Sequence, residues 1–402
     1  MTDTKHRSSQ EIDPNRPYSL ERDRFSRIFL GLGIAGLVLS LLGYFLEPER
    51  FYFSYLAAFA YWTTLTLGAL FFTMLHHVTG ARWSVVLRRG AEALTMNLPW
   101  LFISFLPVIV GIHTLYHWSH ADAVAHDSIL EAKSSYLNTT FFVARGVLYF
   151  GIWTALAFLL NRHSLAQDQD GAEARTILLR RISAVGIAAF ALTMTFAAVD
   201  WLMSLDPHWY STIFGVFLFV SGFLVATAFL TLFYVLSRKR GILAGTVGIK
   251  HFQDLGRLLF AFTVFWAYIG GSQYFLIWYA NIPEETVFFL HRWEGGWKSV
   301  SLLIVFLHFL VPFTALIFFA SKRNKMLLGA VATLLMVMHY VNMYWLVMPT
   351  VTASSAMISW VDITTLMGMG GILVWLFLER FRRNPVIPLR DPDLSESLAY
   401  HS

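Results

Sequence analysis

Residues 209–236 read WYSTIFGVFLFVSGFLVATAFLTLFYVL, an apolar run without a charged side chain. A helix of about 20 such residues crosses the roughly 30 Å hydrocarbon core of a bilayer. Similar runs recur along the 402-residue chain. They predict ten helical spans, at about 26–46, 54–78, 98–118, 137–160, 181–203, 209–236, 257–280, 297–320, 326–348 and 361–379. The composition agrees: 56% of residues are hydrophobic and 14% charged, against about 25% charged in ordinary soluble domains. A soluble globular enzyme, a disordered chain and a nucleic-acid-binding module are excluded. The blocks are too long and too evenly apolar for the alternating strands of a β-barrel. The reading is an all-α integral membrane protein. It has a polar N-terminal tail (1–25), a ten-span domain (26–380) and a C-terminal tail (381–402).

Lysine and arginine set the orientation. With ten spans, 25 of the 30 basic residues fall on the side of both termini. Arg50, Lys133, Arg292 and Lys298 fall on the other, and Arg145 lies inside a span. By the positive-inside rule both termini are cytoplasmic. No small-residue cleavage site follows the first apolar run, so that run reads as a retained span. Residues 119–136 suit an interfacial helix. Residues 281–296, NIPEETVFFLHRWEGG, read equally as a docking surface for an external partner or as an interfacial anchor. The tail with Pro385 and Pro388 reads as extended, lying on a partner. The chain has no cysteine, which excludes thiolate metal sites, iron–sulfur clusters and c-type haem attachment within it.

Ionisable groups inside a membrane are costly, about 2.5–3.5 kcal/mol at a helix centre, and therefore mark candidate chemistry. Asp200, in the fifth span, shares a helical stripe with Thr193 and Ser204. It reads as a proton relay or polar-ligand group, or as a structural carboxylate. Arg145 in the fourth span needs an anion, and Asp200 at comparable depth is its expected partner. His113 and His117, four apart in the third span, share a predicted helical face. They suit proton or quinol chemistry, or simple interfacial solvation. A haem or metal site is not favoured, because no second histidine pair sits at matching depth. His76 and His77 head the stretch HHVTGARWSVVLRRGAE, which reads as a solvated basic loop contacting phospholipid or as a proton mouth. Asp254 reads as an N-cap of the seventh span. His308, His339 and Tyr340 lie mid-span as relay or bundle-bonding groups. Gln273 and Tyr274 suit a quinone carbonyl or interhelical hydrogen bonds.

The combination HHVTGARW, DWLMSLDPHWYSTIFG and SQYFLIWYANIPEE resembles the NrfD-like, polysulfide-reductase-type membrane subunits. Among them it is most similar to the ActF-type subunit of bacterial alternative complex III. The resemblance implies two four-helix bundles, from spans two to five and six to nine, with two peripheral helices. It also implies a place in the bacterial inner membrane, in a quinol-oxidising complex of the respiratory chain. The implied partners are a sister NrfD-like subunit, an iron–sulfur subunit and a multihaem cytochrome c, with clusters and haems on those chains and quinone or menaquinone as substrate. In the family a quinol pocket lies at the external face of the first bundle. His113, His117, Arg145 and Asp200 stand at comparable depths here. Quinol oxidation is usually credited to the sister subunit, so this chain is expected to supply a proton path and scaffold. A quinol-binding subunit and a stand-alone transporter are the competing readings.

Overall fold

A computed structural model describes residues 24–239, 243, 245–352 and 355–400. The basic residues Lys5, Arg7, Arg16 and Arg22 of the N-terminal tail lie outside them. Among the described residues there are helices and no strand. Ten helices are long and apolar enough to cross a membrane: α1 Phe25–Leu46, α2 Pro48–Thr79, α3 Arg82–Val110, α4 Thr139–Asp170, α5 Glu173–Leu205, α6 Phe214–Lys239, α7 Ile249–Ala280, α8 Trp297–Leu316, α9 Lys325–Thr350 and α10 Trp360–Arg383. The protein is a multi-pass, all-α membrane protein.

Helices α2 to α5 form one bundle and α6 to α9 the other. They meet where α2 packs on α6, and α1 and α10 pair at the periphery. The α2–α6 contact needs small residues, because a Cβ at Gly68 would lie 2.1 Å from the carbonyl oxygen of Gly222. The α1–α10 pair runs antiparallel: Ser26 bonds Glu379 at one end, and Trp360 bonds Glu47 at the other. Its seam is built on Gly33, Gly36, Gly368 and Gly371. A Cβ at Gly36 would sit 2.4 Å from the Gly368 nitrogen, and one at Gly371 2.4 Å from the Gly33 nitrogen. Small residues let helix backbones approach where lipid supplies no hydrophobic drive for association.

Two spans are irregular. Helix α3 is assembled from Val85–Thr95, Leu98–Ile103 and Leu106–Val110. Pro99 and Pro107 open the second and third pieces, where a missing N–H cannot serve the preceding turn. Helix α8 widens to a π-helix over Ile304–Leu310, just before Pro312. Pro312 has no N–H for the carbonyl four residues back, and the wider turn accommodates its ring.

Several expectations change. The extended tail folds back onto the chain itself, with Val386 and Ile387 buried and a helix at Leu394–Ala399. Helix α7 starts at Ile249, so Asp254 is in its second turn and Gly248 is the N-cap. Residues 119–136 do form two short helices, Ala121–His126 and Ser128–Lys133. Below, the end of the bundle that carries the C-terminal segment is the basic face, and the other end the opposite face.

Replacing Gly36 or Gly368 by Leu is expected to destabilise the detergent-solubilised protein by about 1–3 kcal/mol through overpacking. Gly31→Leu, where a Cβ meets nothing within 4 Å, should leave the thermal midpoint in place.

Candidate functional site

The opposite face of the first bundle holds the expected pair. Arg145 of α4 donates from Nε to Asp200 Oδ2 at 2.8 Å and from Nη2 to Oδ1 at 2.9 Å. Tyr149, one turn further along α4, donates to Asp200 Oδ2 at 2.8 Å. The third nitrogen of Arg145 bonds the Tyr136 carbonyl at 3.0 Å, and its guanidinium lies over the Tyr136 ring, 3.9 Å from the centroid. Ser204, on the expected stripe, donates to the Asp200 carbonyl at 2.5 Å. Asp200 is fully buried. The two-pronged geometry compensates the buried carboxylate, while Arg145 itself is 13% exposed.

Beside this pair, between the two bundles, lies a cleft of about 780 Å³ whose walls include Tyr136, Ser204, Lys133, His208 and Glu284. Small-molecule sites usually span about 300–1,000 Å³. Burial lifts the Tyr136 phenol above its ordinary range. Asp127 N-caps Ser128–Lys133, accepting from Ile129 at 2.8 Å, and takes a 2.6 Å bond from His208. That imidazole contact is the main force holding the Asp127 carboxyl below the usual carboxylate range.

Beneath Asp200 the bundle is filled by aromatic rings. Trp201 lies 5.3 Å from Phe59, 5.8 Å from Phe150 and 5.9 Å from Trp153, centroid to centroid. The indole of Trp153 donates to Thr193 at 2.8 Å, so the Thr193 of the stripe serves the packing.

The basic face of the same bundle holds a second cluster. Within the stretch expected to be a solvated loop, residues 80–83 do form a partly exposed turn, whereas residues 85–92 are helical and buried. Arg88 is 1% exposed, and its Nε lies 2.9 Å from Glu92 Oε1. Arg89 pairs with Glu92 Oε2 at 2.8 Å and with Asp168 of α4. Ser164 donates to Glu92 at 2.7 Å, and Asp391 from the tail lies 2.6 Å from Arg88. His76 sits 3.1 Å from Arg88 and 2.7 Å from Ser84, with the His77 ring edge-on to it. The whole cluster comes from α2, α3, α4 and the tail.

The other candidates separate. His113 lies in a last turn that ends at Leu115. Tyr116 is extended, and His117 belongs to a 3-10 turn. The two histidines therefore share no helical face. Both are exposed, and their hydrogen bonds go to neither Arg145 nor Asp200. The buried residue of this stretch is Tyr116, which donates to the Trp201 carbonyl at 3.0 Å. Asp254 pairs with Arg257 at 2.5 Å and accepts from Tyr400 at 2.9 Å. Gln273 of α7 accepts from Ser211, in the connection between α5 and α6, at 2.7 Å, and Tyr274 stands 40% exposed against Phe289. His308 stacks on Trp266 with centroids 4.2 Å apart, and His339 bonds Thr64 of α2 at 2.9 Å. Tyr340 donates to the Asp362 carbonyl at 2.9 Å.

Two acids, Asp362 and Asp168, escaped the sequence reading, and Glu92 entered it only as the end of the stretch 76–92. Asp362 is fully buried, pairing with Arg50 at 2.6 Å and accepting from Ser54 at 2.5 Å. Its signal was the Ser359-to-Asp362 spacing of a capping box. Glu92 and Asp168 lie in stretches that looked like loop. The loop arginine Arg292 is also buried. Its nitrogens bond the carbonyls of Trp345, Phe288 and Leu346 at 2.8–3.0 Å. Burial lowers it to about 9. Helix Pro283–His291 packs inward through Phe288, stacked on Trp209 at 3.9 Å.

These features define the class: a polytopic helical membrane protein with two buried ion clusters at opposite ends of one four-helix bundle. No family model matches the chain, and no curated protein matches it in sequence.

Arg145→Met leaves Asp200 buried and uncompensated and should cost about 3–5 kcal/mol. The double variant Arg145→Met/Asp200→Leu should recover much of that in a detergent thermal melt. For Asp127 the folded state holds its proton more weakly than the unfolded chain. Its stabilisation is present above the unfolded pKa near 3.9 and is lost as pH falls through the lower folded value. Amide protection factors over 121–133, corrected for the intrinsic pH dependence of exchange, should therefore fall on acidification, and Asp127→Asn should flatten that response.

Proposed function

We propose that this chain is an integral, non-redox subunit of NrfD-like, ActF type in a quinol:acceptor oxidoreductase, with a scaffold role and a part in proton movement. One observation carries the reading: ionised clusters at both ends of the first bundle, with an aromatic plug between them. Tyr149 and Ser164 stand on the same helix, 15 residues and therefore about 22 Å apart. Such a layout suits two half-paths, each exchanging protons with its own face. Quinol oxidation in a neighbouring chain changes the charge near Asp200, and a carboxylate whose proton affinity moves can take up or release a proton. The redox partners in this reading are an iron–sulfur subunit, a sister subunit and a multihaem cytochrome c.

The 780 Å³ cleft against Tyr136 and Ser204 favours a second reading, in which this chain itself binds quinol at the opposite face. The pocket would then be walled by α5 and the 129–137, 207–210 and 282–285 segments. His113 and His117 would have no direct part.

Gentle purification tests the first reading. A complex with haem absorbance is expected, and a colourless monomer that moves solutes would replace it with a transporter. Within the complex, Asp200→Asn and Glu92→Gln should lower by about tenfold the protons translocated beyond the two that each quinol oxidation itself liberates, with haem content unchanged. Wild-type proton translocation in both variants would sink the proton assignment. Quinone recovered from wild type and lost in Ser204→Phe would favour the second reading.

A further inference from the structure

The tail that was expected to lie on a partner makes its contacts within this chain, directly over the basic-face cluster. Leu389 N donates to Asp168 at 2.9 Å, and Arg390 bonds the Gln169 carbonyl. Asp391 reaches Arg88 at 2.6 Å. Glu396 and Asp393 meet Arg82 at 2.8 and 3.5 Å. Ser397 bonds the Trp83 carbonyl at 3.1 Å and accepts from Val86 N at 3.4 Å. Tyr400 crosses to α7, where it donates to Asp254. The segment thus straps the basic end of α3 and α4 to α7.

Two features distinguish the strap from a fixed wall. The first is charge count. With the strap docked, Arg88 and Arg89 face three carboxylates: Glu92, Asp168 and Asp391. Without it, two cations face two carboxylates, and Arg88 keeps Glu92 at 2.9 Å. Undocking strands no buried charge, so the heavy penalty for breaking a buried pair is avoided. The second is how the strap is held. Its outer anchor, Arg82 with Glu396, is 61% and 56% exposed, and such pairs contribute about 0–1 kcal/mol. Its helix of six residues is too short to persist alone.

Under the strap is a small cavity of about 20 Å³ walled by His76, His77, Arg88, Gln167, Asp391 and Asp393. His77 Nε2 and Gln167 Oε1 are buried there without a hydrogen-bond partner among the described residues. About 10–15 Å³ suffices for one water molecule with such partners. Three carboxylates here differ in exposure: Asp393 is 34% exposed, Asp391 6% and Glu92 1%.

We infer that residues 386–400 are a displaceable cover on the basic-face cluster: docked, the strap seals Arg88 and Glu92 from bulk water, and released, it opens them to that face. This rests on reading the cluster as a proton-exchanging end, and it adds the element that regulates access to it. The cover is this chain's own C-terminal segment, and its latch is the Asp391–Arg88 contact with the Arg82 anchor outside.

The chain has no cysteine, so a single Gln167→Cys reports access with no background. The full-length variant, reconstituted in nanodiscs, is treated with a small cationic methanethiosulfonate. Labelling should be slow. Deleting 385–402 should speed it at least tenfold. Arg82→Glu, which repels Asp393 and Glu396, should speed it severalfold, and adding Glu396→Arg should slow it again. If the shortened chain does not accumulate, the Arg82→Glu and rescue pair decides. Equal rates in full-length and released forms would overturn the cover, as would a thiol that stays unreactive in every form. Labelling needs no redox partner. If it behaves as expected while proton translocation in the intact complex is indifferent to Arg82→Glu, the cover stands and the proton reading of the cluster falls.

Discussion

An ionised side chain in a low-dielectric slab must find its counter-charge on a neighbouring helix, and that requirement organises this structure. Arg145 and Asp200 tie α4 to α5. Arg50 and Asp362 tie α2 to α10. Arg89 and Asp168 tie α3 to α4. Each tie joins groups whose solitary burial would cost several kcal/mol, so each discourages a rotation or slip of one helix against the next. The apolar surfaces around them supply no such discrimination, because lipid tails are as apolar as leucine.

The same requirement separates the bundle into layers. Charged groups gather near the two faces, and the middle is closed by Phe59, Phe150, Trp153 and Trp201. Ring packing of this kind excludes water, which strengthens every ion pair at its borders. The glycine seams act differently. At Gly68–Gly222 and Gly36–Gly368 they bring backbones together, so the two bundles and the peripheral pair hold by contact at short range.

Legibility in the sequence followed the range of the interaction. The ten spans rest on local composition, and the Arg145–Asp200 pair was readable because two rare residues stood at matching depth. His113 and His117 show the limit. Their spacing suits a helix, but the chain leaves the helix at Tyr116, whose side chain is drawn in to Trp201. Asp254 shows another: the cap falls at Gly248 because α7 extends a turn and a half further toward its start. Arg88, Arg89 and Glu92 looked like a solvated loop, since nothing nearby in sequence announced Asp168 or Asp391 as partners.

The sequence by itself determined that the chain crosses a membrane ten times as helices, and which charges cannot stay unpaired there. Both follow from the energy of moving a residue from water to hydrocarbon, which depends on the residue and its near neighbours. Only the tertiary structure decided that Arg88 meets Asp391 and Arg50 meets Asp362, that Asp362 is buried, and that the tail lies over α3. Those outcomes depend on contacts between residues more than 300 positions apart, such as Arg88 with Asp391 and Arg50 with Asp362, whose geometry is fixed only when the helices pack.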